Sequence, residues 1–163
     1  GAIGRESIKI GVALGMNVLV YDPSPKELAE GNVKNASLED VLRQSDFITL
    51  HCPLMDSTRQ IINKERIALM KPTAYIVNTS RGALIKEDDL IEALQQGRLA
   101  GAALDVQDPE PPALDNPLFA MDNVIMTPHI GWRRYESRQR LVDLVAENIK
   151  AFIDGKAVNV VNK

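Results

Sequence analysis

A chain of 163 residues, 45% hydrophobic and 25% charged, has the size and composition of one globular domain with a buried core. Its net charge of −3, with basic residues scattered, argues against a nucleic-acid partner, and no apolar run approaches the roughly 20 residues that span a bilayer. One cysteine, Cys52, excludes an internal disulfide, and two histidines, His51 and His129, give no basis for a structural zinc site, so no metal is expected. A reducing cytoplasm fits this cysteine usage, and no signal peptide is expected in the residues given.

The first residues are Gly1-Ala2-Ile3-Gly4-Arg5, followed by a helix expected over residues 3–14. Ile3, Ser7, Ile10, Gly11 and Leu14 share one face, and the small residues allow close approach to a sheet. A strand is expected over 17–21, with Asp22 at its end. Gly1 and Gly4 fit the second and third glycines of a dinucleotide fingerprint, and Asp22 fits its acid, 18 residues beyond Gly4. In that reading Gly1 lets the backbone approach a pyrophosphate while the helix start, Gly1 to Gly4, supplies N–H donors and a positive dipole. Asp22 accepts hydrogen bonds from the adenosine ribose. No arginine follows it, only Pro23 and Ser24, so NAD is expected rather than NADP. The first glycine and its preceding strand, normally the central one, are absent. The chain is therefore expected to be a fragment or the ordered part of a longer one, because a sheet without its middle strand leaves two unpaired edges.

Ser37 is placed to cap a helix over 38–44, with Asp40 in its first turn. A strand follows at 47–51. Asn63 is placed to cap a short helix that ends by Met70, and Pro72 stops it. A strand at 74–78, a helix at 86–96 with Gly97 as its C′ residue, and a strand at 101–106 come next. Residues 107–123 hold four prolines and the acids Asp108, Glu110 and Asp115, which predicts a rigid surface loop. A strand at 124–127 and a helix at 135–153 complete the pattern, the helix ending near Gly155. Leu141, Leu144, Val145, Ile149 and Phe152 lie at helical spacing on it and are expected to pack into a core.

The strands are rich in Val, Ile and Leu and mostly lack polar alternation, as strands covered on both faces do. Alternating short apolar strands and helices predict an α/β, Rossmann-type doubly wound parallel sheet. Arg81, Glu110 and His129 all follow predicted strands. The C-terminal ends of parallel strands gather at one edge, where a ligand lies.

Four segments carry a more specific signal: Leu50-His51-Cys52-Pro53-Leu54; Asn78-Thr79-Ser80-Arg81-Gly82; Ala103-Leu104-Asp105-Val106 with Glu110-Pro111; and Thr127-Pro128-His129-Ile130-Gly131. With Met70-Lys71-Pro72 they closely resemble the D-isomer-specific 2-hydroxyacid dehydrogenase family, over nearly the whole chain. The resemblance implies that Arg81 holds a 2-oxo acid, that His129 is the general acid/base, and that Glu110 pairs with this histidine. It implies cofactor contacts from Asp105, Thr79 and Ser80 at the nicotinamide end and from Cys52 and Pro53 under the adenosine, and it carries Thr58 and Gly131 into the same set. His51 is read as structural, because the family motif does not use it as a base.

The implied reaction is hydride transfer between nicotinamide and a small 2-oxo acid, with His129 protonating the carbonyl oxygen and Glu110 favouring the charged imidazole. The tail after Thr127, with Trp132, Arg138-Gln139-Arg140-Leu141 and Ala146-Glu147-Asn148-Ile149, is most similar to the glycerate dehydrogenase (hydroxypyruvate reductase) branch. Trp132 either walls the substrate pocket or packs under the final helix. The implied organisation is an NAD-binding domain over 1–132 and a tail over 133–163 that returns toward a substrate domain lying outside this sequence. Without that domain the fragment is not expected to be active. A homodimer is implied, since the family usually pairs through this domain. The alternative is an NAD-sensing interaction protein, because C-terminal-binding protein corepressors share the fold and the same three residues.

Overall fold

The computed structural model describes residues 1–24 and 32–161. It divides into two compact units, Gly1–Pro128 and His129–Lys163. The first contains helix α1 (Ala2–Ala13), strands β1 (Val18–Val20) and β2 (Val33–Asn35), α2 (Leu38–Gln44), β3 (Phe47–Leu50), α3 (Lys64–Ile67), β4 (Tyr75–Asn78), α4 (Glu87–Gln95), β5 (Gly101–Leu104) and β6 (Val124–Met126). Short 3₁₀ turns occupy Gly82–Leu84 and Pro117–Ala120. Every strand pairing is parallel, in a two-stranded sheet β1-β2 and a four-stranded sheet β3-β4-β5-β6.

Local chemistry sets the helix ends. Ser37 Oγ accepts the Asp40 N–H at 3.0 Å at the start of α2, and Asn63 Oδ1 accepts the Arg66 N–H at 3.1 Å at the start of α3. Gly97 follows α4 at φ +65°, a conformation that costs glycine nothing. The Asp89 carboxylate, buried on α4, accepts the first N–H of α3 from Lys64 at 2.7 Å and pairs with Lys86 at 3.0 Å. Burial alone would raise this carboxyl. The hydrogen bonds from Lys86 and Lys64 and their charges outweigh that and hold it below the usual value.

The core lies on one face of the four-stranded sheet. Ile48, Ile76, Ala102 and Leu104 from the strands meet Leu42, Ile67, Leu90, Leu94 and Leu118 from α2, α3, α4 and the Pro117–Ala120 turn. Complete burial of each large aliphatic side chain contributes about 1.5–3 kcal/mol, so this cluster is what holds the strands in register. The opposite face is open, contrary to the expectation of cover on both sides: Phe47 is 62% and Ile125 68% exposed. Continuous apolar strands reflect both faces of a sheet, but only one of them carries packed helices among the described residues.

The expected strands and helices are present with most ends within two residues of expectation, α3 stopping at Ile67 rather than near Met70, while β2 was not anticipated. Val33-Lys34-Asn35 is short and mostly polar, so periodicity gives it no signal. Gly11 does approach the sheet: a Cβ there would stand 3.1 Å from Val18 Cγ2. The second unit is helix α5 (Tyr135–Ile153), ended by Gly155 at φ +70° and supported by a 2.6 Å Lys150–Asp154 ion pair. The expected core stripe on this helix is not buried. Leu141, Leu144, Val145, Ile149 and Phe152 are 48–76% exposed. Helical periodicity identifies the apolar face but not a partner for it. Among the described residues no helix is long and apolar enough to cross a membrane.

Candidate active site

Strand register determines where the candidate residues emerge. Leu50 pairs with Asn78, Asn78 with Leu104, and Leu104 with Met126, so β3, β4, β5 and β6 end in one row. His51-Cys52, Thr79-Ser80-Arg81, Asp105 and Thr127 therefore leave the sheet at the same edge. The ladder extends one step beyond it, with Asp105 N–H donating to Asn78 O and Thr127 N–H to Leu104 O, each at 2.9 Å.

Asp105 is buried at this edge, and its Oδ1 accepts the Thr127 hydroxyl. Ser80 Oγ donates to Leu50 O at 2.7 Å, tying the β4 exit to β3, while Thr79 beside it is exposed. Arg81 is extended and exposed, and its guanidinium donates to the Ser80 carbonyl at 2.6 Å. Glu110 is also exposed, with Oε1 accepting the Gln107 N–H at 2.9 Å. The proline loop that carries it is anchored further on: Asn116 Nδ2 donates to Glu87 Oε1 at 2.8 Å, and Asn116 Oδ1 accepts the Leu118 N–H.

Gly82 joins the two loops. A Cβ on it would lie 1.9 Å from the Gln107 carbonyl oxygen and 2.6 Å from Asp108 N, so the turn after Arg81 presses backbone to backbone on the segment leading to Glu110. Only glycine permits that approach.

His129 opens the second unit and has φ +52°, in the left-handed region that few non-glycine residues occupy. Gly131 follows in the same unit, and Trp132 is exposed.

The helix start assigned to a dinucleotide lies beside the same strand-end edge: a Cβ on Gly4 would stand 3.4 Å from His51 Cβ. Helix α1 starts at Gly1 with no side-chain cap, and its first backbone bond runs from Arg5 N–H to Gly1 O. The N–H groups of Ala2, Ile3 and Gly4 precede that bond, as the first donors of any helix do. A Cβ on Gly1 would meet nothing within 4 Å. Asp22 lies just beyond β1, exposed, with Oδ1 accepting the Ser24 N–H at 2.9 Å. Backbone donors at a helix start and an exposed carboxylate suit a phosphate-linked nucleotide. Cys52 is half-buried, and burial pushes its thiol up, keeping it protonated and unreactive at neutral pH. Pro53 is exposed, and its carbonyl accepts the Thr58 hydroxyl at 2.7 Å; the same hydroxyl caps Met55 N–H, so Thr58 pins this turn.

Burial lowers the His51 imidazole, Nε2 bonds Thr49 Oγ1 at 3.0 Å, and the buried Nδ1 has no hydrogen-bond partner among the described residues. Sequence reasoning passed over Asn78, Gly82 and Gln107 as individual residues. Asn78 carried a signal: a polar residue in the buried phase of an apolar strand, between Ile76 and the loop.

The chain matches, over residues 1–131, the model of the D-isomer specific 2-hydroxyacid dehydrogenase NAD binding domain. It is 49% identical to a hydroxypyruvate reductase of Blautia hydrogenotrophica, covering 100% of this chain and 51% of that protein. It is also 49% identical to a D-3-phosphoglycerate dehydrogenase of Methanocaldococcus jannaschii, over 99% of this chain and 32% of the relative. A solved D-isomer specific 2-hydroxyacid dehydrogenase from Lactobacillus delbrueckii ssp. bulgaricus, in its NAD complexed form, superposes with a TM-score of 0.92 at 31% identity, over 99% of this chain and 53% of that one. The chain thus spans about half the length of the first of these relatives and about a third of the second. By its matched segment, its parallel sheet and its strand-end motifs, the chain belongs to the D-isomer specific 2-hydroxyacid dehydrogenase family and corresponds to that family's NAD binding domain.

Proposed function

We propose that the full protein is an NAD-dependent oxidoreductase interconverting a small D-2-hydroxy acid and its 2-oxo acid, of the glycerate/hydroxypyruvate or glyoxylate type. The observation that carries this reading is the common row of strand ends, which delivers Arg81, Asp105 and the Glu110 loop to one edge. Residues 1–132 are the nucleotide-binding part in this reading, and residues 133–163 lead back toward a substrate domain.

When bound, the nicotinamide supplies the hydride chemistry; the protein supplies position and charge. Gly1, Ala2, Ile3 and Gly4 present backbone donors to the pyrophosphate, and Asp22 accepts from the ribose. The Asp22 carboxylate, followed by Pro23 and Ser24, repels a 2′-phosphate, which favours NAD over NADP. Cys52, Pro53 and Thr58 line the adenosine side. Thr79, Ser80, Asp105 and Gly131 line the nicotinamide side.

Arg81 holds the carboxylate and carbonyl oxygens of the oxo acid through its planar guanidinium, a task lysine does not match. His129 gives its proton to the carbonyl oxygen as negative charge develops there, and takes it back in the oxidising direction. Glu110, held by the Gln107 N–H, orients and supports the imidazole. The same reading places the protein in the cytoplasm as a homodimer.

Turnover by the full chain tests the proposal. Hydroxypyruvate or glyoxylate should be reduced with NADH, with a kcat/KM for NADH at least tenfold above that for NADPH. Tight NADH binding without turnover of any small 2-oxo acid would replace it with the NAD-sensing reading.

A further inference from the structure

We propose that Asn78 is the positioning residue for Arg81, an inference that rests on the reading of Arg81 as the oxo-acid ligand. Asn78 is 1% exposed, at the end of β4 and in the same phase as the fully buried Ile76. Its side-chain amide turns back onto the loop it precedes. Nδ2 donates to the Arg81 carbonyl at 2.9 Å, and Oδ1 accepts the Ser80 N–H at 3.1 Å. Its own carbonyl accepts the Asp105 N–H at 2.9 Å, so one residue links the loop of Arg81 to the next strand exit.

The core does not require this amide. An apolar side chain of the same shape would fill the space but would leave the Ser80 N–H and the Arg81 carbonyl without their present partner. What the amide adds is a fixed path for the backbone from Asn78 to Arg81. Ser80 Oγ on the Leu50 carbonyl and Gly82 against Gln107 fix the two flanks of that path. The arginine then leaves the sheet edge from an anchored Cα, which removes backbone freedom that would otherwise be lost on binding substrate. Asn78 needs no contact with the substrate for this. It acts through Arg81.

A double-mutant cycle in the full-length protein tests the proposal, with Asn78→Ser and Asn78→Asp made in the parent and in Arg81→Ala. The readouts are KM for the 2-oxo acid, KM for NADH, and calorimetric affinity for oxamate, whose carboxylate and carbonyl mimic the substrate without accepting hydride. In the parent, Asn78→Ser should weaken oxamate binding and raise the oxo-acid KM about tenfold while the NADH KM changes less than about twofold. In Arg81→Ala the same change should alter oxamate affinity less than about twofold. Asn78→Asp should approach the parent as pH falls, because a protonated carboxyl again donates to the Arg81 carbonyl.

Equal losses in both backgrounds, parallel rises in the two KM values, or unfolding of both Asn78 variants would make Asn78 a packing residue and overturn the proposal. If Arg81→Ala itself leaves oxamate affinity unchanged, the reading of Arg81 has failed, and the assignment of Asn78 falls with it. Normal loss on Arg81→Ala with equal effects of Asn78→Ser in both backgrounds removes only Asn78.

Discussion

The exits of β4 and β5 and the start of α1 offer polar groups to a ligand by opposite means. At the β4 and β5 edge the geometry is fixed by buried side chains: Asn78, Asp105 and Gln107 are each less than a tenth exposed and bonded to backbone or to a neighbouring hydroxyl. Helix α1 has no buried residue, and strands β1 and β2 contain none either. Its donors are the unpaired amides that any helix start possesses. The first region must be built by specific side chains. The second needs only backbone shape and an acid.

Glycine makes this contrast measurable, because it serves both regions for different reasons. Gly82→Ala places a Cβ on the Gln107 backbone, where no flexible side chain can move aside. We expect a destabilisation of about 3 kcal/mol in denaturant melts, at the upper end of ordinary overpacking, together with a large loss of activity in any folded fraction. Unchanged stability would mean that the two loops are not pressed together.

Gly1→Ala is the smaller effect and sharpens the same point. Its Cβ meets nothing, so stability should change by less than about 0.5 kcal/mol, whereas NADH affinity should fall about tenfold if a pyrophosphate lies against that backbone. Fluorescence titration of NADH measures the second quantity. Unaltered affinity would remove Gly1 from the nucleotide site.

These differences also explain what could be read from the sequence. The parallel α/β pattern was legible because β3 to β6 are short apolar runs punctuated by caps such as Ser37 and Asn63, whose bonding partners lie three residues away. The row of strand ends was legible because parallel pairing leaves little choice of edge. The role of Gly82 was not, because it depends on Gln107, a partner brought in by folding; Asn78 bonds Ser80 and Arg81 close by, but the burial that fixes its amide is set by the sheet. The apolar stripe of α5 misled for a related reason. Periodicity marks a face that prefers burial and is silent about what buries it.

The claim on which the functional reading turns is that Arg81 at the strand-end edge holds the oxo acid, while the start of α1 and the neighbouring strand exits hold the nucleotide. Steady-state kinetics of Arg81→Ala in the full-length protein, with each substrate varied in turn, address it directly. The account predicts that the oxo-acid KM rises at least about a hundredfold, a loss of about 2.7 kcal/mol, while the NADH KM stays within about twofold. Equal increases in the two constants would place Arg81 in the cofactor site or the fold and contradict the account.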